Sequence, residues 1–464
     1  MKTHSKRPFF HHALRINKNK CIGCTHCMRT CPTDAIRIRG GKASVNPDKC
    51  IDCGMCMISC KHDAIIVEQD DFQRIFDYKY RVALVPSVLM GQFDENAGTK
   101  AVFEGLKSVG FTHVYEVPRA TSLFEKAQKE YEKRSDAEFP LISSFCPAVI
   151  RLIQVRFPSL LKHIALIKPP LDIAALHCRN ELKKAGVNPA ETGIFYISPC
   201  AAKIVAIKHP VGEKKSNIDG VINMDFIYNK IYPYISQHNK NNTGTLCRPA
   251  DNTHVAWELT GGECMNRDNH AMAVDGIHNV IEILDKLEND DLDENISFLE
   301  LRACDESCAG GILVPGNRFL TVRNLLQRGN LPPCDKTDAE KTDPACQNCR
   351  LFGKCGNEYL KEAFNLEKLQ PRSMLSLDDN MEKALEKYEY IETIMHLLPN
   401  VDCGMCGSPS CRSLAEDMAR GVAEIDQCIF LRLTATKDLE DLKDLYKSVK
   451  NVWGRINENN ELNK

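Results

Sequence analysis

From Arg81 onwards two rhythms alternate along the chain. Short apolar runs rich in β-branched residues (Val82-Ala-Leu-Val85, His113 to Val117, Leu141 to Phe145, Ile194 to Ile197 and Ile296 to Leu301) stand between helix-like stretches such as Thr99 to Val109 and Ala148 to Val155. This alternation predicts an α/β fold, a mostly parallel sheet covered by helices. Leu259-Thr-Gly-Gly262 reads as a turn or a place of close backbone approach. Asn380 to Leu398 has helical periodicity. Leu439, Leu442, Tyr446, Val449, Trp453 and Ile456 follow the spacing of a coiled coil. That last run is short, so it would serve either a homodimer or a helix lying on its own protein.

Composition narrows the chemistry. At 464 residues the chain should hold more than one domain. Sixty Lys+Arg against 62 Asp+Glu give no ground for a nucleic-acid or membrane-surface partner. No apolar run reaches membrane-spanning length, and Met1 to Lys20 is basic without a signal core, so the expected location is cytoplasmic. The 23 cysteines, many at C-x-x-C spacing, point to metal rather than to disulfides.

Residues 21 to 67 hold an internal repeat. Cys21, Cys24, Cys27 and Cys31-Pro recur as Cys50, Cys53, Cys56 and Cys60, and Asp34-Ala-Ile36 recurs as Asp63-Ala-Ile65. This is the bacterial ferredoxin spacing, in which the fourth cysteine of each run serves the other cluster. It assigns Cys21, Cys24, Cys27 and Cys60 to one [4Fe–4S] cluster, and Cys50, Cys53, Cys56 and Cys31 to a second. Lys61 stands where the second run would carry proline.

Three strand-like runs further on each end in cysteine: Leu141 to Cys146-Pro147, Ile194 to Cys200, and Phe298 to Cys304, with Cys308 and Gly310-Gly311 beyond. Ligands collect beyond the carboxyl ends of parallel strands, so these four thiols would meet at one edge. Pro147 suits a first helical turn, a helix N-terminus lowers a thiol pKa, and two glycines admit a bulky inorganic group.

Cys334, Cys346, Cys349 and Cys355 form a loop-borne set for another [4Fe–4S] cluster or a structural zinc. Cys403, Cys406, Cys411 and Cys428 resemble the small four-cysteine [4Fe–4S] domain of redox-complex subunits. Cys178, Cys247 and Cys264 fit no set, and His26 reads as surface.

The three strand-end motifs behind a two-cluster ferredoxin module resemble the hydrogen-cluster domain of the [FeFe]-hydrogenases. In that family four cysteines hold a cubane, and one bridges to a diiron site bearing CO, cyanide and an azadithiolate. The resemblance puts the ligands at Cys146, Cys200, Cys304 and Cys308, with Cys308 as the bridge. It matches Lys203 to the lysine that hydrogen-bonds an iron-bound cyanide, and Pro86-Ser87 to the segment that serves the other cyanide.

Departures stand beside these matches. The relay cysteine before the first ligand is Phe145, the family glutamate is Ala206, and two methionines are replaced by Ser198 and Arg302. Phenylalanine carries no proton, and general acid–base help is typically worth about 10²–10⁴-fold. Slow turnover is therefore expected, as in the sensory branches, and Ser198 and Arg302 should shift the cluster potential.

The expected organisation is a ferredoxin-like α+β module at 1–79, a hydrogen-cluster domain at 80–330, a cysteine-bearing linker at 331–379, a helical four-cysteine domain at 380–430 and a helix at 431–464. The resemblance implies an oxidoreductase that binds H₂ or slowly interconverts it with protons and electrons. Its partner would be a ferredoxin-like protein or a separate signalling protein. The rival reading is a non-catalytic iron–sulfur assembly or electron-transfer protein without the diiron site.

Overall fold

A computed structural model describes residues 11–93, 98–239, 255–265, 267, 270–330, 364–372, 377–378 and 380–435. The group Cys334, Cys346, Cys349 and Cys355, Cys247 and the heptad-like run 439–456 lie outside these residues. The chain divides into two compact units, 1–67 with 372–464, and 68–371.

In the first unit, β1 (Leu14–Ile16) pairs antiparallel with β4 (Ile65–Val67), and β2 (Ile36–Arg39) with β3 (Lys42–Val45). The sequence repeat recurs in the backbone. Gly23 and Asp52, Thr25 and Gly54, and Asp34 and Asp63 all take positive φ at matching positions. Non-glycine residues adopt that conformation only when something holds them there. Asp52 is anchored by His12 Nδ1 at 2.7 Å and by the N–H of Ala13 at 3.2 Å.

The same unit contains helix Met381–Leu397, capped by the Asn380 side chain, and helix Cys411–Ala419, capped by Ser410. Ile391, Ile394, Leu398, Leu414 and Ala415 pack with Cys406, Cys411 and Cys428 into one core. Two segments that the sequence separates into distinct domains thus share one compact unit.

Among its described residues the second unit holds two parallel sheets, in keeping with the expected α/β build. Strands β5 (Tyr80–Val85), β6 (His113–Glu116), β8 (Thr192–Ser198) and β9 (Gly220–Asn223) form the first, in the order β6-β5-β8-β9. Strands β7 (Leu141–Ile142), β10 (Ala271–Asp275) and β11 (Phe298–Arg302) form the second, in the order β10-β11-β7. All seven residues of β8 are buried, as expected of a parallel strand covered on both faces. Residues 68–79 pack in this unit, where Asp70 accepts from the N–H of Val221 at 2.9 Å.

The predicted strand Leu141 to Phe145 is cut short. Ser143 still donates its N–H to Leu299 O, but its hydroxyl accepts the Phe145 N–H at 3.2 Å and so takes that group out of the ladder. Strand β10 has no counterpart among the predicted elements.

Candidate metal centres

Cys146 follows β7, and helix Pro147–Arg156 begins at the next residue. Cys304 follows β11, which pairs in parallel with β7. These two thiols therefore leave the same end of one sheet. Cys200 follows β8 in the other sheet and stands at the N-cap position of helix Ala201–Lys208. The expectation of a single sheet edge is corrected here: ends of two sheets contribute.

The loops are locked together at the glycine pair. A Cβ on Gly311 would lie 2.5 Å from Pro199 O, and one on Gly310 would lie 1.9 Å from Asp305 O. Leu313 also donates its N–H to Pro199 O at 3.0 Å. These glycines thus serve the approach of backbone to backbone, binding the Cys308 loop to the Cys200 loop.

Lys203 reaches across this junction to place Nζ 3.3 Å from Cys308 Sγ. Its side chain is buried. Burial alone would lower its pKa, yet Cys308, Tyr196 and Glu258 outweigh that and hold it well above the usual lysine value. At Cys200 the lowering expected at a helix N-terminus is present, through the Lys203 N–H, but burial outweighs it. Burial pushes this thiol up to about 12 even though Lys203 pulls the other way. Cys308 is raised for the same reason.

The departures at 145 and 302 touch each other. The Arg302 guanidinium lies 3.5 Å from the centroid of the Phe145 ring, and Lys203 Nζ lies 4.5 Å from it. Trp257 meets the same ring edge-on at 5.2 Å. A desolvated cation over an aromatic face contributes up to about 2 kcal/mol. Arg302 is also paired with Glu263 at 2.7 Å and Glu300 at 3.3 Å. Glu300 in turn accepts the N–H groups of Gly261, Glu263 and Cys264. Ser198 turns to its own loop, donating to Cys200 O at 2.8 Å.

Sequence reasoning missed Glu258. One oxygen of this buried carboxylate accepts from the Ser87 hydroxyl at 2.7 Å and from the Val88 N–H at 3.1 Å. The Ser87 hydroxyl, matched by the resemblance to a cyanide contact, donates to Glu258. The signal available was the run Trp257 to Glu263, whose two acids flank the Thr260-Gly-Gly262 turn.

The residues fit a group rich in hydrogen-bonding ligands. Glu258 Oε1, Tyr196 Oη, Trp257 Nε1, Arg302 Nη1 and Ser307 Oγ are buried without a hydrogen-bond partner among the described residues. Each such atom costs roughly 1–3 kcal/mol if left unsatisfied. Tyr196 and Glu258 lie within electrostatic reach of Cys308, and Arg302 within reach of Cys308 and Cys146, so the donors among them suit a group there that offers acceptors.

Ala206 lies apart from these aromatic contacts. It lines a cavity with Ser144, Arg151, Asp172 and Glu213. Burial, with the Glu213 charge beside it, pushes Asp172 up to about 7, against the pull of Lys168. A carboxyl raised in this way favours the fold below its unfolded pKa of about 4, and that contribution is lost as pH rises towards 7. Asp172→Asn is therefore expected to raise the melting midpoint more at pH 8 than at pH 5, as thermal unfolding at the two pH values would show.

In the first unit, Cys21, Cys24, Cys27 and Cys60 line one small cavity together with Ile38 and Ala43. Burial pushes Cys27 up to about 12, with further contributions from Cys21, Cys24 and Cys60. Cys53 is pushed to about 12 by burial and by Cys31, and burial with the Asp52 charge, and less so Cys31 and Cys53, raises Cys50. Cys60 thus joins the three cysteines of the first run, and Cys31 lies within electrostatic reach of Cys50, Cys53 and Cys56. Burial raises Cys406, with a smaller contribution from Cys403. The Asp402 carboxylate receives the Cys411 N–H at 2.6 Å.

Fold and thiol groups define an iron–sulfur protein of α/β build. Residues 79–231 match the family model described as the C-terminal domain of the iron only hydrogenase large subunit, and 13–61 match a 4Fe-4S dicluster domain. A model for an Fe-S cluster segment matches 398–430. Over residues 79–231 the chain is thus similar to the iron only hydrogenases.

It is 31% identical over 212 residues to the periplasmic [Fe] hydrogenase large subunit of Nitratidesulfovibrio vulgaris, covering 41% of this chain and 50% of that protein. It is 25% identical over 153 residues to iron hydrogenase 1 of Clostridium pasteurianum, covering 30% of this chain and 27% of the relative. The chain thus spans half or less of these relatives. An [FeFe]-hydrogenase structure from Chlamydomonas reinhardtii aligns with a TM-score of 0.41 at 15% identity, over 63% of this chain and 94% of that one. Among the described residues no helix is long and apolar enough to cross a membrane.

Proposed function

We propose that this chain binds H₂, or slowly interconverts it with protons and electrons, at a hydrogen-cluster site held by Cys146, Cys200, Cys304 and Cys308. Cys308 would bridge to a diiron unit carrying CO, cyanide and azadithiolate, which supplies H₂ binding and splitting when bound. The observation that carries this reading is the buried Lys203 ammonium 3.3 Å from Cys308 Sγ, with the unpartnered donors Trp257 Nε1 and Arg302 Nη1 on the residues packed against Phe145. Such donors suit the acceptor ligands of a diiron unit and favour it over the non-catalytic alternative.

The chain's own residues set the pace. Phe145 is fixed between two cations and can neither accept nor release a proton. Lys203 orients whatever ligand Cys308 carries, and Arg302, neutralised by Glu263 and Glu300, keeps a polar contact where a thioether would be soft. Glu258, with one oxygen committed to Ser87 and Val88, is the carboxylate placed to carry protons in place of the missing relay. Low turnover follows from the loss of the usual relay at Phe145, and it suits a sensor as well as a slow enzyme.

Electrons would pass through the ferredoxin-type and C-terminal [4Fe–4S] clusters to a ferredoxin-like protein or a signalling partner. Loading the protein with a synthetic diiron cofactor should produce CO and cyanide bands in the infrared. A reconstituted protein with full cubane iron and no such bands would leave the assembly or electron-transfer reading in place.

A further inference from the structure

The C-terminal four-cysteine segment is bound to the ferredoxin-like module by contacts too many and too buried for a tethered appendage. Arg37 forms a two-pronged pair with Asp417, Nε to Oδ2 at 2.5 Å and Nη2 to Oδ1 at 3.1 Å. Arg39 reaches the same carboxylate at 3.2 Å, and Lys49 meets Glu416 at 2.6 Å. The side chains of Arg37, Asp417 and Lys49 are each less than a tenth exposed. Removing one partner of such a pair strands a buried charge, which is what makes the junction specific. Asp34, a member of the ferredoxin repeat, accepts from the hydroxyls of Ser410 and Ser413.

Two of these contacts lead from one set of thiols to the other. Ile38 lines the cavity formed by Cys21, Cys24, Cys27 and Cys60. Its N–H donates to Gly407 O at 2.8 Å, one residue after Cys406, and the guanidinium of neighbouring Arg39 donates to Cys406 O at 3.1 Å. On a separate path, Met28, the residue after Cys27, places its Cε 3.0 Å from where a Cβ on Gly404 would stand, inside the Cys403–Cys406 loop. Gly404 has φ +72°, and even a methyl group there would press on Met28.

We propose that the Cys403, Cys406, Cys411 and Cys428 centre exchanges electrons directly with the Cys21, Cys24, Cys27 and Cys60 centre, across the Ile38–Gly407 hydrogen bond and the Met28–Gly404 contact. The two form adjacent stations of one wire. This rests on both thiol sets holding [4Fe–4S] clusters, and it is independent of the diiron site. The step is a single electron transfer: one reduced cluster is oxidised by one electron, and its neighbour is reduced by that electron. No proton or further reactant is involved. Arg39, whose guanidinium donates to Cys406 O, favours the more negative, reduced state of the C-terminal cluster and raises its potential. Asp417 offsets part of that charge.

The test is low-temperature EPR of the fully reduced, reconstituted full-length protein, with iron counted in parallel. In Cys411→Ser with Cys428→Ser, iron should fall by about four per chain. The signal of the Cys21 to Cys60 cluster should then lose the broadening and fast relaxation caused by a neighbouring spin. Asp417→Asn, which keeps all ligands, should retain its iron but weaken that interaction and raise the C-terminal cluster's midpoint potential.

Two results would overturn the proposal. One is unchanged iron in the double serine variant, which would mean no cluster is held there. The other is a wild-type spectrum equal to the plain sum of the variant's spectrum and an isolated cluster signal. Absent CO and cyanide bands would remove the hydrogenase reading and leave this one standing.

Discussion

Lys203→Met should leave the cubane iron of the hydrogen-cluster site in place and abolish stable loading of the diiron unit. The two side chains are similar in length, so packing in helix Ala201–Lys208 is preserved while the ammonium that meets Cys308 Sγ at 3.3 Å is lost. Three effects then act in one direction. The Cys308 thiol, already raised by burial, loses the charge that lowers it. Glu258 and Tyr196 lose the cation that compensates them in a buried site. The Phe145 ring keeps only Arg302 on its faces. Loss of an outer-shell partner typically costs about 10–100-fold in metal affinity. Infrared bands after cofactor loading, read with iron per chain, check this. Full band intensity in the variant would show that Lys203 is structural.

Phe145→Cys combined with Ala206→Glu is expected to raise H₂ evolution by about 10²-fold, the lower end of what a placed acid–base group supplies. A cost accompanies the gain. Phe145 is buried against Arg302, Lys203 and Trp257, and truncating a packed phenylalanine costs about 3–5 kcal/mol. Phe145→Ala separates the two effects, since it opens the same space without a proton carrier. The double variant must outpace it for the relay to be the missing element; equal rates would place the limit elsewhere. In the same assay Glu258→Gln should slow the wild-type background by about 10²-fold, because the amide keeps the contacts to Ser87 and Val88 but carries no proton.

Ala206→Glu carries a further consequence. The new carboxyl would enter the cavity that already holds Asp172 and Glu213. Like charges at close quarters disfavour ionisation, so it would titrate above the ordinary carboxylate range.

The sequence by itself determined the elements that depend on local order. Spacing grouped the ferredoxin cysteines, since four thiols on a short repeated loop have few ways to meet, and the crossed pairing of Cys60 and Cys31 came with that spacing. Apolar runs marked five of the strands, and each of Cys146, Cys200 and Cys304 stands just past one of them.

Tertiary structure alone decided what depends on contacts between distant segments. Two sheets, not one, present the thiols, because β7 and β8 find different neighbours. Phe145 and Arg302 form one stacked unit although 157 positions separate them. Glu258 acquires its place only because Ser87, on another segment, donates to it. The four-cysteine segment joins the ferredoxin-like module through charges that look like ordinary surface lysine, arginine and acid until burial pairs them. Burial and pairing are properties of the folded chain, and spacing along a strand of sequence does not contain them.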